Sequence, residues 1–217
     1  MLWDFRKPNL KNGISLCMIV KNEKNNPAGG IGSFLQHHLH LCDEVVLVDT
    51  GSTDNTKEIA REFGSQVGIF NYEWNNSFSD ARNFSLEQAN YDKILVLDAD
   101  ERLCVSSKKE LEDFLLLEIN KTCGYDFNFV NVLPNGTKLY DDCFITWWYA
   151  YRLRYFMNLG DLHFVGKVHE QIRSKNDNCY ICKSNKLKSS FIVEHYLPSK
   201  KRIAKRKRFY ESLKNLF

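Results

Sequence analysis

Apolar and polar positions alternate along this chain in two rhythms. Runs at Ile14–Val20, Val45–Val48 and Ile94–Leu97 are mostly aliphatic and bounded by polar residues, the mark of strands buried on both faces. A further β-rich run spans Val67 to Tyr72. Between these runs the spacing turns helical. Ile31, Phe34, Leu35 and Leu39 share one face, Ile59 and Phe63 share another before Gly64 closes their helix, and a third helix is predicted from about Ser79 to Ala89. Gly51-Ser52-Thr53-Asp54 supplies a tight turn and several N-cap candidates. Strand and helix in succession predict a parallel sheet covered on both faces.

Beyond residue 104 the pattern changes. Ser107 and Glu110 form a capping box ahead of Leu111, Phe114, Leu115 and Ile119. Tyr125–Val132 alternates as one strand, Asn135-Gly136 marks a hairpin turn, and an aromatic stretch runs from Trp147 to Phe156. Short strands near Phe164–Ile172 and Phe191–His195 complete a mixed, more antiparallel portion. With no internal repeat and no low-complexity linker, the 217 residues read as one domain with two lobes.

Hydrophobic residues at 43% and aromatics at 13% are ample for a packed core and exclude disorder for most of the length. The net charge of +3 is mild, but eight Lys or Arg crowd between Lys200 and Lys214 against a single Glu211. That tail suits an amphipathic helix docked on the core, an anionic lipid surface, or a plain solvated face. Nucleic acid is not expected from a basic tail alone. Met1–Lys7 lacks the apolar core of a secretory signal, and no stretch reaches the roughly 18 apolar residues of a membrane span. A cytoplasmic protein is expected, with peripheral contact at the membrane's inner face left open. Seven cysteines, most of them alone in apolar surroundings, suit reduced thiols, and Cys179-x-x-Cys182 reads as a loop.

The last buried run ends in Asp98-Ala99-Asp100-Glu101. Three carboxylates there repel one another unless a positive group sits between them, and the carboxyl edge of such a sheet is where ligands bind. Hard divalent cations are held by one or two carboxylates, with phosphates completing the shell. The cluster therefore predicts a metal–diphosphate site, against the plainer reading of an acidic turn. Asp49 ends a second strand on the same edge. Gly29-Gly30-Ile31-Gly32 does not satisfy the dinucleotide fingerprint, and it lies too far beyond the first strand for a nucleotidyltransferase phosphate loop.

Four segments resemble the family-2 inverting glycosyltransferases of the GT-A fold. Ile14–Glu23 is similar to their opening strand, Asp43–Asp54 to their second strand and turn, Phe78–Asn83 to the helix start that touches the nucleotide, and Asp98–Glu101 to their DxD motif. Gly166-Lys167-Val168-His169-Glu170-Gln171 resembles the subgroup of lipopolysaccharide-core glucosyltransferases and bacteriocin S-glycosyltransferases. His195-Tyr196-Leu197-Pro198 departs from that subgroup, where the histidine is followed, after one residue, by Gly and an aromatic. The resemblance covers roughly residues 14–215 and implies an α/β fold with a mostly parallel central sheet and a smaller mixed lobe. It places a nucleotide-sugar-binding half at about 14–104, an acceptor-side half at about 105–198 and a basic C-terminal helix at 199–217.

The implied activity is a metal-dependent, inverting transfer of a sugar from a nucleotide-diphosphate donor, expected to be a UDP-sugar, to a saccharide, lipid-linked or peptide acceptor. Asp100 is then a Mg²⁺ or Mn²⁺ ligand, with His195 as a further ligand or phosphate contact, or else a histidine satisfied at a strand end. Asp98 reaches the ribose or a metal-bound water. Glu23, Asp49 and Asp80 contact uracil and ribose, which suits carboxylates as acceptors; Asp80 is equally placed to cap its helix. Arg82 pairs with Asp80 or meets phosphate. The base is Glu170 oriented by His169, or the reverse. The alternatives are a nucleotidyltransferase of related fold and a non-catalytic binding module for nucleotide sugars or anionic surfaces.

Overall fold

The computed structural model describes residues 9–118, 124–125, 127–140, 154–158, 160, 162–168, 170–174 and 191–198. Strands β1 (Lys11–Val20), β2 (Glu44–Asp49), β3 (Val67–Asn71) and β4 (Tyr91–Val96) alternate with helices α1 (Gly30–His38), α2 (Thr56–Arg61) and α3 (Phe78–Gln88). There follow β5 (Glu101–Cys104), α4 (Lys108–Glu118), β6 (Gly124–Tyr125), β7 (Asn128–Val132), β8 (Lys138–Tyr140), β9 (Tyr155–Met157), β10 (Leu162–Val165), β11 (Gln171–Ser174) and β12 (Ile192–Tyr196). The main sheet has the order β3-β2-β1-β4-β9-β6 and is parallel through its first four strands. β9 and β6 extend it antiparallel.

Side chains alternate across that sheet. Ile14, Leu16, Met18, Val45, Leu47 and Leu95 pack on one face, and Cys17, Val46, Val48, Ile94 and Val96 on the other. Both faces are buried, which is why these runs are continuous rather than alternating. Phe34 of α1 covers the first face together with Phe129 and Val193 of a second sheet, ordered β5-β12-β7-β8. Leu86 of α3 covers the other, with Phe164 and Ile172 of the β10–β11 hairpin.

Several expectations change in the second half. Tyr125–Val132 is not one strand, because the chain leaves the main sheet after Tyr125 and enters the second at Asn128. The short strands near Phe164–Ile172 are present as expected, paired as an antiparallel hairpin with Gly166 beyond β10 at φ 94°. The capping box is only half made. Ser107 Oγ accepts the Glu110 N–H at 3.3 Å, but the Glu110 carboxylate takes the N–H of Ser106 at 3.0 Å. The basic tail, Trp147 to Leu153, His169 and the Cys179/Cys182 pair lie outside the described residues. No helix among the described residues is long and apolar enough to cross a membrane.

β5 is an edge strand, and its outer backbone is capped by two consecutive histidines of α1. His38 Nε2 accepts the Leu103 N–H at 3.1 Å while its Nδ1 donates to the Phe34 carbonyl at 2.8 Å. His37 Nε2 donates to the Leu103 carbonyl at 3.0 Å. Burial pulls the His38 pKa from 6.5 to about 3, against the Phe34 bond and with help from nearby His37 and Arg102. The unfolded chain therefore binds a proton that the folded one refuses. The stability tied to this residue is complete above pH 6.5 and falls as pH drops from 6.5 toward 3. His38→Leu should cost about 1–3 kcal/mol at neutral pH by stranding the Leu103 N–H. Urea unfolding across pH should show its gap to wild type narrowing on acidification.

Candidate active site

The strand order reverses between β1 and β4, and the crevice beyond their carboxyl ends is where an open α/β sheet takes ligands. Asparagine amides build its walls. Asn26 Oδ1 accepts the N–H groups of Ala28 and Gly30 at 2.8 and 2.9 Å. Its Nδ2 donates to the Glu23 carboxylate at 3.0 Å and the Ala99 carbonyl at 2.9 Å, joining the β1 loop to the acidic turn. Gly30 permits this path: its φ is 83°, and a Cβ there would lie 2.1 Å from the Lys24 carbonyl oxygen. Asn22 Oδ1 accepts the Thr53 N–H at 2.8 Å and Ser52 Oγ accepts the Asn22 N–H at 2.9 Å, so the β1 and β2 loops close on each other.

The acidic cluster divides into three environments. Glu101, fully buried, accepts Arg154 Nη2 at 2.6 Å and the Asp98 N–H at 2.8 Å. Burial lifts its pKa to about 7, Arg154 opposing and the neighbouring Asp98 and Asp100 adding to the rise. Asp98 pairs with Arg82 Nη2 through one oxygen, and Arg154 stands 3.9 Å from the other. Asp100, 6% exposed, faces His195, whose Nε2 lies 3.9 Å from Oδ2. For two of the three carboxylates, the positive group between them is a buried guanidinium.

His195 sits where it does by register, since in β12 it lies opposite Glu101 of β5 and beside Asn131 of β7. Its Nδ1 donates to Asn131 Oδ1 at 3.1 Å, which turns Nε2 toward Asp100. Among the described residues no three His, Cys, Asp or Glu side chains gather closely enough to hold a metal by themselves. Asp100 and His195 form a partial donor set, and a hard ion that keeps waters and substrate phosphates in its shell fits it.

The other candidate residues are more occupied than their spacing suggests. Asp49 accepts the N–H groups of Gly51 at 3.3 Å and Ser52 at 3.0 Å and stands 3.5 Å from Lys57 Nζ, so it shapes the β2–α2 turn. Asp80 is exposed and accepts from Asn75 Nδ2 at 2.8 Å. It does not cap α3; Ser77 does, its Oγ accepting the Asp80 N–H at 3.2 Å. Arg82 likewise pairs not with Asp80 but with Asp98 and, through Nε, with Glu170 Oε1 at 3.2 Å. Burial would lower the Arg82 pKa, yet those two carboxylates outweigh it and raise the value above its ordinary range. Asn83 completes the docking of the hairpin, with Nδ2 donating to the Phe164 carbonyl at 2.9 Å and Oδ1 accepting its N–H at 2.6 Å. The segment Phe78–Asn83 thus carries the β10–β11 hairpin, and with it Glu170, against the ligand edge.

Residues 15–115 match the model of glycosyl transferase family 2, a stretch that contains Glu23, Asp49, Asp80, Arg82, Asp98 and Asp100 and ends before Glu170 and His195. Over 102 residues, 47% of this chain, the sequence is 39% identical to a TPR repeat-containing protein of Synechococcus elongatus, covering 24% of that protein. Over 108 residues, 48% of the chain, it is 35% identical to an uncharacterized glycosyltransferase of Rickettsia conorii, covering 33% of it. The chain matches only about a quarter to a third of the length of these relatives. Its fold is shared with the crystal structure of S. aureus TarS 1-349 in complex with UDP-GlcNAc, at a TM-score of 0.55 and 18% identity over 85% of this chain and 58% of that one. The architecture is the GT-A fold. The match to glycosyl transferase family 2 spans residues 15–115, just under half of the chain.

Arg154 holds Glu101 away from water and also donates to the Val96 carbonyl at 3.2 Å. Arg154→Met should therefore cost about 3–5 kcal/mol in urea unfolding, because it strands a buried carboxylate. A loss below about 1 kcal/mol would show that the pair adds little to the fold.

Proposed function

We propose that this protein transfers a sugar, with inversion, from a UDP-sugar to a saccharide, lipid-linked or peptide acceptor in a reaction that depends on Mg²⁺ or Mn²⁺. The observation that carries the reading is the approach of two chemically distinct groups to one strand end. The Asp100–His195 pair comes through β5 and β12, and Glu170 comes through Arg82 and Asp98. The family-2 match and the fold shared with TarS, solved with UDP-GlcNAc, support the donor class.

Asp100 and His195 are the residues that would hold the ion, which when bound neutralises charge on the departing diphosphate. Asn131 orients the His195 ring so that Nε2 faces Asp100. Glu23 and Asp49, at the ends of β1 and β2, and Asp80 at the start of α3 stand on the side assigned to the nucleoside. Glu170 takes the acceptor proton as the new bond forms. Arg82 holds its Oε1, and Oε2 has no partner among the described residues and is the oxygen left to accept.

Release of nucleoside diphosphate from a panel of nucleotide sugars, with Mn²⁺, Mg²⁺ or EDTA, tests this. Release from one donor that EDTA abolishes is expected. Release indifferent to EDTA would overturn the metal dependence, and no turnover with no donor binding by calorimetry would overturn the activity. Asp100→Asn should abolish metal-dependent donor binding. Glu170→Gln should bind donor normally and lose about 10²–10⁴-fold in kcat. Equal loss of donor binding in both variants would sink the separation of roles. Asn131→Leu should raise the Mn²⁺ concentration needed for half-activation by about 10–100-fold.

A further inference from the structure

Three arginines are buried around the ligand edge, and their partners differ in kind. Arg102 donates to main-chain carbonyls, Ala99 at 3.1 Å, Glu101 at 2.7 Å and Ala28 at 2.6 Å, and so clamps two loops. Arg154 serves one carbonyl and Glu101. Arg82, 4% exposed, donates to two carboxylates, Asp98 and Glu170, and both are residues assigned to substrate. Its third nitrogen, Nη1, is buried and has no hydrogen-bond partner among the described residues.

A purely structural role explains this poorly. A buried ion pair contributes little net stability, since the cost of desolvating both charges offsets their attraction, and an apolar replacement of similar volume often does as well. What the guanidinium supplies is geometry. Its nitrogens lie in one rigid plane, so carboxylates bound at Nε and Nη2 are fixed relative to each other. One of these belongs to the strand end beside Asp100, the other to the hairpin of the second half.

We propose that Arg82 is a positioning residue, which acts on transfer through Glu170 by setting where that carboxylate stands relative to Asp98. This rests on the reading of Glu170 as the acceptor-side base. The neighbouring bonds fit it. Asn83 holds β10 through Phe164, the Phe78 N–H holds the loop after it by donating to the Lys167 carbonyl at 3.0 Å, and Arg82 reaches the carboxylate that follows.

Arg82→Lys tests the proposal, since it keeps the charge and removes the planar fork. It is compared in two backgrounds, wild type and Glu170→Gln, using the donor that the panel identifies. In the wild-type background kcat should fall by up to about 100-fold, the cost of a misplaced reacting group, with KM for the donor little changed. In the Glu170→Gln background the same substitution should cost nothing further. An equal fold-loss in both backgrounds would overturn the positioning role while leaving the base assignment standing. Full turnover by Glu170→Gln would overturn the base assignment, and the proposal with it. Calorimetry with UDP and Mn²⁺ provides a readout apart from turnover, and Arg82→Lys should bind as wild type does. Loss of that binding would make Arg82 a donor contact instead. If Arg82→Lys fails to fold, Arg82→Gln, which keeps N–H donors without the charge, replaces it in the same comparison.

Discussion

Buried charge at the end of β4 is the constraint on which the ligand edge depends. Arg154, Glu101, Asp98, Arg82 and Glu170 follow one another as a chain of contacts, drawn from β9's approach, β5, the acidic turn, α3 and the hairpin. Each member is costly to leave unpaired away from water, so the arrangement tolerates few alternatives. Apolar packing sets the sheet and its two covered faces. The ion pairs join the acidic turn and α3 to β9 and the hairpin of the second half.

Side-chain amides do similar work at lower charge. Asn26, Asn22, Asn83 and Asn131 each satisfy backbone or imidazole groups that would otherwise face a crevice unpaired. The loops they brace are irregular yet hydrogen-bonded. Such loops are what a site on a sheet edge requires, because ligand-contacting backbone cannot be tied up in strand pairing.

Much of the first half was legible because each strand is buried on both faces and each helix keeps its own period. The carboxylates at 98–101 were legible because their mutual repulsion demands an explanation. Their individual fates were not, since the partners lie 53 residues away for Glu101 and 88 residues apart for Arg82 and Glu170. No local pattern reports such distances. β5 and β9 escaped because strands of four and three residues are too short to show a period. Lone asparagines carry no pattern at all, and Ser77 rather than Asp80 caps α3 because the cap precedes the helix by one residue.

The register of β12 has a consequence for how the molecule is made. The four parallel strands of the core are complete by Val96, whereas the strand bearing His195 must insert between β5 and β7, both synthesised long before it. Pairings of such sequence separation require loop closure before any contact rewards it, and they form late. A growing chain thus completes its four parallel strands first, while the face later covered by Phe129 and Val193 and the edge beside the acidic turn wait for residues made last.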